Sequence, residues 1–312
     1  MSAHSQTFSN RAFCKITQRD QLQCLEVRNP FFHADILLQG AQLIHYRPAS
    51  ANDSWIWLSD QAEYLSGKSL RGGIPVCWPW FGNADKNPQS VQQHIPSPET
   101  AAAHGFARNE IWQIENIKES CHEVQVCLSF MAENRKDWQG TAKVKATFIF
   151  RKNTFELTLS TENMGSNPLH LSQALHSYFP TEDIQQSRVY GLETAMYADA
   201  LINDNGEWKR RQQDSAVSFT QETDRVYFPK TDLAKAATLR LQTPQQQLRI
   251  NSENSASCVV WNPWIEKSRR LSQFDHQAYQ QMLCIETANV LEDAVILKPG
   301  EIFGLKVSFT QI

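Results

Sequence analysis

The sequence predicts a mostly β protein, a large antiparallel sandwich of twisted sheets with few short helices. Three observations predict it. Apolar residues recur at every second position in several long runs. Turn-forming pairs sit between such runs. Only one stretch, residues 264–281, has the charged, glutamine-rich composition of a surface helix.

Taken in order, residues 1–11 read as a disordered or loosely attached tail, and residues 12–312 as one domain. Loop signals come next. Residues 66–83 hold Gly67, Gly72, Gly73, Pro75, Pro79 and Gly82, and residues 82–103 are polar and proline-bearing. Long loops in compact domains are usually functional or disordered. Residues 123–130 place Val124, Val126, Leu128 and Phe130 on one face. Residues 143–151 do the same with Val144, Ala146, Phe148 and Phe150, and residues 154–160 with Phe155, Leu157 and Leu159. Only Lys152-Asn153 separates the last two runs, which predicts a tight hairpin with asparagine tolerating positive φ. Asp204-Asn205-Gly206 is a further turn signal. Residues 237–242 and 258–261 read as short strands. The C-terminal run turns Phe303, Leu305, Val307 and Phe309 inward.

Composition narrows the functional classes. The chain has 312 residues and a formal net charge of −3, so no broad basic surface for nucleic acid is implied. No apolar run is long enough to span a bilayer. Residues 1–10 lack the apolar core of a signal peptide. Seven cysteines make an odd count, and no Cys-x-x-Cys occurs. Cys77, Cys127, Cys258 and Cys284 lie in apolar runs, where buried free thiols are expected. A soluble protein of the reducing cytoplasm is expected.

Six segments could carry chemistry. Gln173-Ala174-Leu175-His176-Ser177-Tyr178-Phe179-Pro180 sets a histidine in an apolar-aromatic strand. A partly buried imidazole is easily tuned to exchange protons near neutral pH, although a packed core histidine would leave the same signature. Arg71-Gly72-Gly73 joins a forked donor suited to phosphate or carboxylate to two glycines that permit close backbone approach. It is not a Walker loop, because no Gly-Lys-Ser/Thr follows. His104-Gly105-Phe106-Ala107-Arg108 repeats the theme, and two arginines from separate loops could clamp one dianion. Asp224 could accept hydrogen bonds from sugar hydroxyls or merely close a turn. Val260-Trp261-Asn262-Pro263-Trp264 offers either an aromatic wall or plain packing. Glu286 follows an apolar strand. Glutamate is seldom buried without a partner, and desolvation would raise its pKa into the range of a usable base.

In this order the six segments resemble the aldose 1-epimerase (galactose mutarotase-like) superfamily, and within it the hexose-6-phosphate mutarotases, also called glucose-6-phosphate 1-epimerases. The likeness covers the chain after the tail. It implies a β-supersandwich and no cofactor; separately, His104 and His176 lack nearby partner ligands in the sequence, so no metal is expected. The likeness implies His176 as general acid and Glu286 as general base. It also implies Asp224 on the sugar hydroxyls, His104 as a second histidine on the ring-oxygen side, and Arg71 and Arg108 on a phosphate. Two departures stand out. Residues 83–103 form a longer loop than in many relatives, and Ala103 stands where some relatives have glutamine.

The chemistry expected is anomer interconversion of a D-hexose 6-phosphate, glucose 6-phosphate first, by acid/base ring opening and closure. The expected partner is a small sugar phosphate, with no nucleic acid, no membrane and a monomeric protein. The acid and the base are expected on opposite sides of the sugar ring, about a sugar's width apart. A non-catalytic carbohydrate or sugar-phosphate binding protein on the same fold is the alternative. A glycoside hydrolase using Asp224 and Glu286 is a third reading.

Overall fold

The computed structural model describes residues 11–133, 135–204, 207–229 and 235–312. The expected tail at residues 1–10 and the turn residues Asn205-Gly206 lie outside the described residues. The strands flanking that turn do pair, Asp204 opposite Glu207.

The architecture is mostly β, as the alternation predicts. Residues 14–48 form a four-stranded meander (Cys14–Arg19, Leu22–Asn29, Phe32–Leu37, Gln42–Pro48). An eight-stranded sheet runs, in spatial order, Arg188–Tyr190, Ala237–Gln242, Gln247–Glu253, Ile302–Gln311, Thr154–Asn163, Ala142–Arg151, Glu123–Ala132 and Gln113–Glu119. A seven-stranded sheet runs Glu207–Gln212, Met196–Asp204, Thr223–Phe228, Ser257–Asn262, Met282–Asn289, Gln173–Pro180 and Val76–Cys77. A short pair, Leu169–Leu171 with Val295–Leu297, completes the set. Among the described residues no helix is long and apolar enough to cross a membrane.

The period-two faces fall as expected. Val124, Val126, Leu128, Phe148, Phe150, Phe155 and Leu157 are buried, as are Leu305, Val307 and Phe309, while Phe303 is half-buried. These side chains share one core with Leu175, Phe179, Val260, Leu283 and Ile285 of the seven-stranded sheet. Phe179 meets Phe309 edge-on, with ring centroids 5.0 Å apart. Because side chains alternate along a strand, Ala174, His176 and Tyr178 must then face away from this core.

Three local expectations need correction. The Lys152-Asn153 hairpin forms, with Arg151 opposite Thr154, but neither turn residue has positive φ. The helix expected over residues 264–281 is only Trp264–Ser268, followed by a 3-10 turn at Ala278–Gln281. Polar side chains there bond the backbone instead of leaving it helical: Ser268 Oγ donates to the Ile265 and His276 carbonyls, and Asp275 Oδ1 accepts from the Gln277 amide. Gln273 sits at φ 54°, outside the helical region. Of the four cysteines expected to be buried, Cys127 is only half-buried; all seven are unpaired.

Candidate active site

The site is set by register. The His176 strand and the Glu286 strand are antiparallel neighbours, and His176 lies directly opposite Glu286. Directly opposed residues point to the same face with their Cβ atoms about 5 Å apart. The outcome is a His176 Nε2 to Glu286 Oε1 separation of 3.5 Å. This corrects the expectation of an acid and a base a sugar's width apart: they are side by side. His176 is 8% exposed and Glu286 1%. His176 Nδ1 and Glu286 Oε2 are buried and have no hydrogen-bond partner among the described residues. Buried polar groups are nearly always satisfied, so two open positions on one pair point to a ligand.

Neighbouring strands add the walls. Asp224 lies opposite Trp261, and Trp261 opposite Cys284, which carries the wall across the sheet. His176 stacks on Tyr178 at 4.7 Å and 7°, and Tyr178 stacks on Trp57 at 5.8 Å. Trp261 approaches the His176 ring edge-on at 6.1 Å. The cleft above encloses about 380 Å³, and its lining includes Phe81, His104, His176, Trp208, Asp224, Trp261, Lys267 and Glu286. Trp264 packs on Tyr279 instead and takes no part in that lining. A larger cavity of about 640 Å³ around His94 and His170 has no carboxylate in its lining. Both His94 ring nitrogens there already have backbone partners. His170 Nδ1 is unpartnered among the described residues, but no carboxyl group stands there to form an acid/base pair with it.

The loops fall into place around this floor. The Tyr178 amide bonds the Gly73 carbonyl at 3.0 Å and the His176 amide the Pro75 carbonyl at 3.1 Å, which ties the glycine-rich loop to the histidine strand. The close approach that Gly73 permits is to the protein's own backbone: at φ 73°, a Cβ there would lie 2.4 Å from the Leu43 carbonyl oxygen. His104 is held by reciprocal bonds with Gly82, its amide donating to the Gly82 carbonyl and its Nδ1 accepting from the Gly82 amide. In the neutral ring this puts the proton on Nε2. Its ring centroid is 5.6 Å from that of His176. Residues 83–103 are organised rather than loose. Asn87 donates to the Phe81 and Asn83 carbonyls and accepts from Ser172, and the loop brings Lys86 and Asn87 to the cleft's rim.

Arg71 and Arg108 come together, but not in the cleft lining. Both lie near Tyr178. Arg108 Nη2 donates to the Ala103 carbonyl at 2.6 Å, and the Nε atoms of both arginines are buried without partners among the described residues. Burial and then the nearby Arg71 charge lower the Arg108 pKa.

Electrostatics push the central pair towards a neutral state. Burial, then His104 and the two arginines, hold His176 well below the ordinary imidazole range. Burial, then Asp224, pushes Glu286 well above the usual carboxylate range. Their 3.5 Å contact is therefore better described as a neutral pair sharing one proton than as a fixed ion pair. His104 is pushed down to about 3 by burial and then Arg108. Burial raises Asp224, and Lys267 opposes the rise with Nζ 3.4 Å from Oδ2. Sequence reading missed Lys267 and Trp208. Nothing in the local sequence marks them: strand order brings Trp208 to the cleft, and the short helix Trp264–Ser268 brings Lys267.

The Aldose 1-epimerase family matches residues 23–310. A protein of Escherichia coli (strain K12) named "Putative glucose-6-phosphate 1-epimerase" is 30% identical over 282 residues, covering 89% of this chain and 87% of its own length. A protein of the same name from Cenchrus ciliaris is 29% identical, covering 89% and 81%. The crystal structure of a "putative mutarotase (YeaD)" from Salmonella typhimurium superposes with a TM-score of 0.83 at 25% identity, covering 97% of this chain and 95% of that one. The chain belongs to the aldose 1-epimerase family.

Proposed function

We propose that the protein is an isomerase that interconverts the α and β anomers of a D-hexose 6-phosphate, glucose 6-phosphate first. One observation carries the reading. A buried imidazole and a buried carboxyl stand 3.5 Å apart on the floor of a sugar-sized cleft, each with an open hydrogen-bonding position. The anomeric hydroxyl oxygen and the ring oxygen are bonded to the same carbon. An adjacent pair can therefore serve both, and no separation by a sugar's width is needed.

The step balances with one proton on the pair. Glu286, as carboxylate, takes the proton of the anomeric hydroxyl while the bond from the anomeric carbon to the ring oxygen breaks. His176, as imidazolium, gives its proton to the departing ring oxygen. The pair passes from imidazolium–carboxylate to imidazole–carboxylic acid, and the sugar becomes an open aldehyde. Rotation about the adjoining carbon–carbon bond presents the other face, and closure returns both protons. Each positioned group is typically worth about 10²–10⁴ in rate.

Asp224 holds sugar hydroxyls, and His104 donates from Nε2 on the ring-oxygen side. Arg71 and Arg108 take the phosphate on the sugar's exocyclic carbon; because they stand beside Tyr178 and outside the cleft lining, this role requires their side chains to turn towards the bound sugar. Their unpartnered Nε atoms support this role. A dianion there would also offset the two positive charges that hold His176 down, and so favour the imidazolium that opens the ring. The family match over residues 23–310 supports one unit for residues 12–312. The protein is taken to act as a monomer. Seven unpaired cysteines suit the reducing cytoplasm. Anomer-resolved NMR on the purified protein tests the reading: faster exchange between the glucose 6-phosphate anomers supports it, and the spontaneous rate would refute it.

A further inference from the structure

Lys267 projects from the short helix Trp264–Ser268 into the cleft wall. That helix is placed by Asn262, whose Oδ1 accepts from the Trp264 amide and whose Nδ2 donates to the Tyr279 and Met282 carbonyls. Lys267 Nζ lies 3.4 Å from Asp224 Oδ2, 3.6 Å from Glu222 Oε1 and 5.8 Å from the Trp261 ring centroid. One ammonium thus serves two carboxylates and stands over the aromatic wall. We propose that Lys267 is a positioning residue of this site, whose ammonium keeps Asp224 ionised and so able to accept hydrogen bonds from the sugar's hydroxyls. The proposal rests on the anomer-exchange reading above.

The charge pattern requires such a group. The charges of Glu222 on the same segment and of Asp199 on the strand Met196–Asp204 act on Asp224, and the Asp224 charge in turn acts on Glu286 on the strand Met282–Asn289. Arg225 lies 3.6 Å from Asp199 and neutralises that charge in part. Among the described residues Lys267 is the cation that touches Asp224 itself, and its charge reaches His104 as well. Like charges crowded in a poorly hydrated wall favour protonation of one of them. A protonated Asp224 would donate a hydrogen bond where the sugar needs an acceptor. It would also stop acting on Glu286.

The test is the pH profile of kcat/KM for anomer exchange of glucose 6-phosphate. Lys267 is a third exposed, so substitution there leaves the core intact. Lys267→Met should lower kcat/KM at neutral pH by about tenfold or more and move the acid limb to higher pH. Glu222→Gln should move that limb the other way, and Lys267→Arg should restore the wild-type profile. In an Asp224→Asn background, Lys267→Met should leave the limb unmoved. A uniform loss at every pH with no shift, or a shift that persists without Asp224, would overturn the proposal. For a variant too slow to profile, ¹³C NMR titration of the Asp224 carboxyl gives the same answer: a raised midpoint supports the proposal and an unchanged one overturns it. A wild-type protein with no exchange activity would overturn the functional reading instead, and the Asp224 titration would still decide this one.

Discussion

Glu286→Gln is the sharpest perturbation the site allows. The side chain is 1% exposed, its Oε1 is 3.5 Å from His176 Nε2, and its Oε2 has no partner among the described residues. Glutamine has nearly the same shape, and its amide can donate to the imidazole much as the protonated acid does. The fold should therefore survive. What disappears is the ability to take the anomeric proton. A general base contributes about 10²–10⁴ in rate, or about 3–5 kcal/mol of barrier. The assay is magnetisation exchange between the anomeric protons of α- and β-glucose 6-phosphate, corrected for the spontaneous rate. Stability supplies a control with its own sign. The folded-state pKa of Glu286 is raised, so the native protein holds a proton that the unfolded chain has lost. The resulting stabilisation is complete below the ordinary carboxylate range and is lost as pH rises towards the folded pKa. Glu286→Gln removes this dependence, so its melting temperature should gain on wild type as pH rises above about 4.5. A folded variant that keeps more than about a tenth of the wild-type exchange rate would refute the assignment of Glu286 as base.

Three further outcomes are expected. Arg71→Ala with Arg108→Ala should reduce the preference for glucose 6-phosphate over glucose, with part of the loss in kcat, as parallel kinetics on the two sugars would show; an unchanged preference would remove the arginines from the phosphate site. His104 has a folded pKa of about 3, so it destabilises the protein as pH falls from 6.5 towards that value. His104→Asn, which tolerates the φ of 65° found there, should lose less stability than wild type across that window in thermal melts. Gly105 sits at φ 68°, and a Cβ there would come within 2.0 Å of the Trp78 carbonyl oxygen. Gly105→Ala should cost about 2 kcal/mol or more in urea unfolding.

The strands were legible in the sequence wherever one face was buried. Val124-x-Val126-x-Leu128 and Phe148-x-Phe150 sort apolar from polar residues with period two, and burial enforces that period. The fold class and the large β-sheets follow from it. The helix at residues 264–281 was misread because composition does not reveal where serine and aspartate side chains will capture the backbone. His176 and Glu286 stood out as a histidine and a glutamate in apolar strands, an arrangement that needs a reason wherever it occurs.

Their relation to each other was not legible. His176 and Glu286 are far apart along the chain, and only the pairing of their two strands makes them direct neighbours. A slip of one residue in that register would turn one of them into the core and leave no pair. The same holds for Lys267 beside Asp224, and for Arg71 and Arg108, which meet near Tyr178 and outside the cleft lining. Sequence determines which chemistry the chain can carry, because residue type fixes pKa and hydrogen-bonding capacity. Tertiary structure decides which groups share a proton, because strand register and burial set distance and solvation.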